Sequence, residues 1–214
     1  MRTIRRRPRP TNALVAAALL VVVVSACSGD QGDIGPPTPT GATDIGGPSM
    51  TSAPPPPPGW ELEPLIPTSQ QQAQDTVIGY LTRTVEALPA GTRLDATRYR
   101  VGNGNRSCDD LPTGSDKPEM MFTDVRQVLL PEGADAAGVI SEVGDIWRSW
   151  GWHVFERDDF PRPNQFGYGP DGYRLQIESS TPPGHPPTIS GISPCFPGSV
   201  ASDDVAVPTV IPST

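Results

Sequence analysis

The chain of 214 residues carries 24 acidic against 16 basic side chains, with 28 prolines, 22 glycines and three cysteines. Five of its arginines lie within the first nine positions, so residues 27–214 hold 11 basic and 24 acidic groups, a net charge of −13. A surface of that sign repels phosphate backbones and anionic headgroups, which excludes nucleic acid as a partner and an electrostatic grip on anionic lipid.

The cationic start (Arg2, Arg5, Arg6, Arg7, Arg9) is followed by an uninterrupted apolar run from Ala13 to Val24 and then by Ser25-Ala26-Cys27. A charged segment, a short apolar core and small residues at a cleavage point make a secretory signal. Twelve apolar residues would cross only about 18 Å as a helix, well short of the roughly 20 residues a bilayer core needs. A cleaved signal therefore explains them better than a permanent span. Pro8 and Pro10 directly follow the arginine run, which favours general secretion over twin-arginine export.

Val24-Ser25-Ala26-Cys27 resembles the lipobox of bacterial lipoproteins, in which a branched aliphatic and two small residues precede a cysteine. The resemblance implies that residues 1–26 are a lipoprotein signal peptide. It implies also that Cys27 becomes the acylated first residue, holding the chain to the extracytoplasmic face of the cell membrane.

From residue 27 to residue 67 proline and glycine dominate, ending in the run Pro54 to Pro58, and no apolar periodicity is present. Such a segment buries too little surface to offset its conformational entropy. It reads as a tether, with an average reach of about 35 Å for forty flexible residues.

The folded domain is expected over residues 68–197. Thr68 or Ser69 caps a helix, with Gln71 or Gln72 as the third-position partner. Ala73, Val77, Tyr80, Leu81, Val85 and Leu88 then recur at helical spacing until Pro89-Ala90-Gly91. Residues 97–102 alternate as a strand and lead into the turn cluster Gly102-Asn103-Gly104-Asn105. Met120 to Leu130 reads as a longer strand whose imperfect alternation suits a bulge. A second helix runs from about Ala134 to Trp150, with Ile140, Val143, Trp147 and Trp150 on one stripe.

Trp152 to Phe155 begins another strand. Gln165 to Tyr168 and Tyr173 to Glu178 flank Gly169-Pro170-Asp171-Gly172 as a hairpin, and Thr188 to Ser193 forms a last short strand. Residues 198–214 return to small residues and proline and read as a loose tail. The expected fold is thus α+β, two amphipathic helices on one face of a mostly antiparallel sheet of four or five strands. Cys108 and Cys195 are an even pair in an exported chain, which favours a disulfide over two buried free thiols. A loop of nearly ninety residues would give it about 4–5 kcal/mol.

Gly172-Tyr173-Arg174-Leu175-Gln176-Ile177, Ile189-Ser190-Gly191 and Cys195-Phe196 are similar to the C-terminal half of mycobacterial LppA-like lipoproteins. Cys108-Asp109 and the helix before Trp152 fall in matching order. The likeness spans about residues 70–197 and carries no catalytic signature. It implies an envelope lipoprotein with a disulfide-stapled α+β domain, and names no substrate.

Candidates for chemistry are few. His153 lies on a predicted strand and His185 in a loop, but there is no Gly-x-Ser-x-Gly elbow to make a serine hydrolase. Asp109-Asp110 and Asp158-Asp159 lack the spacing of a calcium loop, and the cysteines and histidines lack that of a zinc site. No catalytic residue, metal ligand or cofactor is therefore assigned.

Eight of the 13 aromatics fall between Trp147 and Tyr173. They read first as core. The alternative is a cleft for an apolar ligand, formed by Trp147, Trp150, Trp152, Phe166, Tyr168 and Tyr173. Trp150 and Trp152 straddle the helix end, so one of them should be exposed. The expected function is that of a lipid-anchored, non-catalytic interaction module with an envelope protein as partner; a carrier of a small apolar molecule or lipid is the alternative.

Overall fold

The computed structural model describes residues 53–99, 103–109, 117–202 and 206–213. The signal, the lipobox, Cys27 and the first part of the tether lie outside the described residues, as do Arg100, Val101, Gly102 and Asp110. No helix among the described residues is long and apolar enough to cross a membrane.

Helix α1 spans Gln70–Glu86. Ser69 caps it by accepting from the Gln72 N–H at 3.1 Å, while Gln72 Oε1 reaches back to accept from the Thr68 N–H at 2.8 Å. These bonds occupy donors that a helix start would otherwise leave free. Helix α2 spans Ala136–Ser149, capped by Asp135, whose carboxylate accepts from the Ala137 N–H at 3.1 Å. Gly151, at φ +82°, follows its last turn.

Eight strands form one sheet among the described residues: β1 Arg93–Asp95, β2 Gly104–Ser107, β3 Met120–Leu129, β4 His153–Phe155, β5 Asn164–Tyr168, β6 Arg174–Glu178, β7 Thr188–Ile192 and β8 Val210–Pro212. The order is β4-β5-β6-β7-β3-β1-β8, with β2 alongside β3 next to β1, and every pairing is antiparallel. Helix α1 lies over β3, β7 and β8, and α2 over β4, β5 and β6.

Both helices cover the same face. A Cβ on Gly191 would meet Val77 of α1 at 2.7 Å, and one on Gly167 would meet Trp147 of α2 at 2.8 Å. These two glycines sit in one cross-strand row, Gly167–Leu175–Gly191. The missing side chains let the helices approach the sheet closely. Trp147 is fully buried where the helices meet and donates its indole N–H to Thr84 Oγ1 at 3.1 Å.

The α+β class, the two helices and the antiparallel sheet agree with the sequence reading, but the strand number does not. Residues 97–99 form a 3-10 turn rather than a strand. Asp95 accepts from the Thr97 N–H at 2.7 Å, which bends the chain out of β1. Gly104 and Asn105, expected in a turn, begin β2. The pairing of β3 with β7 runs unbroken from Thr123–Ile192 to Gln127–Thr188, so no bulge interrupts it. Its alternation is imperfect in sequence because its helix-facing side carries Asp124 and Arg126, an ion pair at 2.6 Å with both side chains fully buried.

Nor are residues 198–214 a loose tail throughout. Ile211 is buried, β8 pairs with β1, and the Pro208 and Thr209 carbonyls accept from Arg126 at 2.8 and 3.3 Å. The Cys108–Cys195 disulfide is formed, with Cα atoms 6.2 Å apart, and joins the end of β2 to the chain just beyond β7.

Candidate functional site

The last residues of the presumed tether are docked. The Glu63 and Leu65 N–H groups donate to the carbonyls of Pro170 and Asp171 at 2.7 and 2.9 Å, pinning the segment to the β5–β6 turn. At Gly172, with φ +84°, a Cβ would lie 3.2 Å from Pro64, so glycine serves both the turn and the close approach. Residues 60–66 thus belong with the domain, a correction to a tether running to residue 67.

Between this segment and the sheet face away from the helices lies a groove of about 700 Å³, within the usual range for a small-molecule site. One cross-strand row on its floor reads His153–Tyr168–Arg174, and Phe155 lies two residues along β4 from His153. Phe155 and Tyr168 stack with ring centres 5.4 Å apart and 12° between planes. Trp60 sits edge-on to His153 at 5.7 Å and, with Leu62, Pro64 and Ile66, forms the outer wall. The indole N–H of Trp60 and Nε2 of His153 are buried without hydrogen-bond partners. Leu62, Leu65 and Ile66 are 56%, 66% and 55% exposed, an apolar strip contiguous with the groove.

The structure divides the six aromatics of the expected cleft. Tyr168 and Tyr173 line the groove. Trp147 and Trp152 are core, 0% and 4% exposed, and Phe166 is buried against Phe160 at 4.7 Å. Trp150 is the half-exposed member of its pair, stacked on Tyr80 and covered by the Arg83 guanidinium at 4.2 Å. A cleft built from all six does not exist, because Trp147, Trp150 and Trp152 pack on the helix-facing side of the sheet and Phe166, though on the groove side, is buried against Phe160. Tyr80 gathers Trp150, Trp152 and Tyr173 around it and donates its hydroxyl to Asp171 at 2.5 Å. Burial, and then the Asp171 carboxylate, push its phenol well above the ordinary range.

Sequence reasoning missed Trp60, Leu62, Ile66, His153 and Arg174 as groove residues. The available signal was a tryptophan and three branched aliphatics inside a proline-rich stretch that had no need of them. The other candidates have plain roles. Asp158 and Asp159 pair with Arg162 and Arg157, and the His185 carbonyl accepts from Ser180. No group of three metal-ligating side chains occurs among the described residues. A second cavity of about 460 Å³ is lined by the amide residues Gln70, Gln74, Asn103 and Asn105 together with Phe122 and residues 207–209.

No family model matches the chain, and neither a curated protein nor a solved structure is found similar to it.

Proposed function

We propose that this chain is a lipid-anchored envelope protein that acts by binding, and that the apolar groove is where it takes a small apolar molecule. The observation that carries this reading is the groove itself: aromatic walls, a volume suited to one ligand, and a wall formed by the chain's own extended segment. The lipobox-like Val24-Ser25-Ala26-Cys27 and the likeness to LppA-like lipoproteins support an extracytoplasmic location. Binding is preferred to catalysis because neither a carboxylate nor a hydroxyl bonds to His153 among the described residues, so nothing orients it as a base. The exposed strip of Leu62, Leu65 and Ile66 favours a second reading, in which the same edge docks an envelope protein.

Native mass spectrometry of the lipidated mature protein tests both parts. The expected result is a mass for a chain starting at an acylated Cys27, plus an extractable adduct that Leu62→Asp with Ile66→Asp removes. These exposed positions leave the core untouched. A bare mass in wild type, with cross-links through residues 62–66 to another envelope protein, selects the second reading. Unchanged membrane retention of Cys27→Ala, with no difference in mass beyond the substitution itself, refutes the anchor.

A further inference from the structure

The groove is apolar but not uniformly so. Arg174 lies in its floor between Tyr168 on β5 and Ile192 on β7, and forms no ion pair among the described residues. Four other arginines are matched to acids: Arg126 to Asp124, Arg148 to Asp145, Arg157 to Asp159 and Arg162 to Asp158. Arg83, Arg93 and Arg98 also form no ion pair among the described residues but do not line the groove. Glu119 also lines the groove but belongs elsewhere on it. Arg174 shares a row with Ile192 and Thr123, and Glu119 lies four residues from Thr123, roughly 13 Å along the strand direction. An unmatched guanidinium at one point and aromatic surface on the neighbouring strands present one charge next to a hydrocarbon track.

We propose that the ligand of this groove is a single-chain amphiphile with a carboxylate head, held by Arg174, with its hydrocarbon laid across Tyr168 and Phe155 towards Trp60. This rests on the groove being a binding site and goes on to name the ligand's chemistry. The planar guanidinium fork matches a carboxylate with two parallel hydrogen bonds. Beside apolar walls that pair is less screened by water than on an open surface. From Arg174 to His153 is two strand spacings, about 10 Å, so a chain leaving Arg174 passes over Tyr168 before meeting the Trp60–His153 contact. There Nε2 of His153 and the indole N–H of Trp60, buried and without hydrogen-bond partners, add two polar atoms to ring surface that is otherwise apolar.

The test is calorimetric titration of the full mature chain, exported with Cys27→Ser so that it is free of detergent. The probes are decanoate and 1-decanol below their aggregation limits, compared in wild type and Arg174→Gln. Arg174 is exposed, so the variant should keep the wild-type melting curve. The expected result is a preference for decanoate over decanol on the order of tenfold in wild type, shrinking with salt and abolished in Arg174→Gln, with decanol unaffected. Equal binding of the two probes in wild type overturns the carboxylate assignment and leaves the groove standing. Binding of neither overturns the groove reading. A decanoate preference that survives Arg174→Gln places the head elsewhere and also overturns the inference.

Discussion

Arg126→Met is expected to be the most damaging single substitution on the helix-facing side of β3, for reasons of charge rather than volume. Asp124 and Arg126 are both fully buried, 2.6 Å apart, and Asn103 also donates to Asp124. Methionine fills much of the space left by arginine but leaves a carboxylate without its cation. Breaking a buried pair from one side costs about 3–5 kcal/mol, about 10 °C in melting temperature for a domain of this size.

Burial already pushes the Asp124 carboxyl above its ordinary range, against the pull of Arg126. Without the arginine the native state keeps a proton that the unfolded chain releases. Stability of the variant should then fall as pH rises above the ordinary carboxylate range, and part of the loss should be recovered towards pH 5. Urea denaturation followed by tryptophan fluorescence at pH 5 and 7 measures both effects. Asp124→Leu with Arg126→Met should lose much less than Arg126→Met alone, because no orphan charge remains. A loss below about 1 kcal/mol for Arg126→Met, with no dependence on pH, would show that the buried pair contributes little and refute the reasoning.

Reduction of Cys108–Cys195, which are 87 residues apart, should destabilise the domain by up to about 4–5 kcal/mol; identical denaturation curves with and without reductant would count against this. Tyr80→Phe should cost about 1 kcal/mol at neutral pH through its lost bond to Asp171. Because folding raises the Tyr80 phenol above its usual value near 10, its contribution is complete below pH 10 and lost as pH climbs towards the folded value. Alkaline denaturation should therefore be shallower in Tyr80→Phe than in wild type, though not flat, since burial also raises Tyr173; parallel alkaline curves would disprove this.

Elements with several turns or alternations could be read from the sequence. Helix α1 announces itself through Ala73, Val77, Leu81 and Val85, all buried as the spacing predicts, and β6 through Leu175 and Ile177. Strands β1 and β8 have three residues each, too few for a period of two to show. Strand β2 begins with Gly104-Asn105, a turn-forming pair, and acquires strand geometry from pairing with β3 rather than from its own preference. The groove escaped for a related reason. Its floor depends on which strands become neighbours, and its wall is a proline-rich segment whose docking requires the carbonyls of Pro170 and Asp171, more than a hundred positions away.

The place of β3 in the sheet also sets an order of events. One edge of β3 pairs with β7, and the other with both β1 and β2, while β1 in turn carries β8. Three short strands gathered from residues 93 to 212 thus hang, directly or through one neighbour, on a ten-residue strand that begins at Met120. A chain synthesised from its N-terminus can form α1 early, but the central pairing of the sheet waits until Ile192 has emerged. Assembly is therefore dominated by closing long loops, a slow class of folding step. The disulfide waits with it, because Cys195 follows β7 by only three residues. Oxidation of Cys108 and Cys195 would then report completion of the sheet rather than direct it.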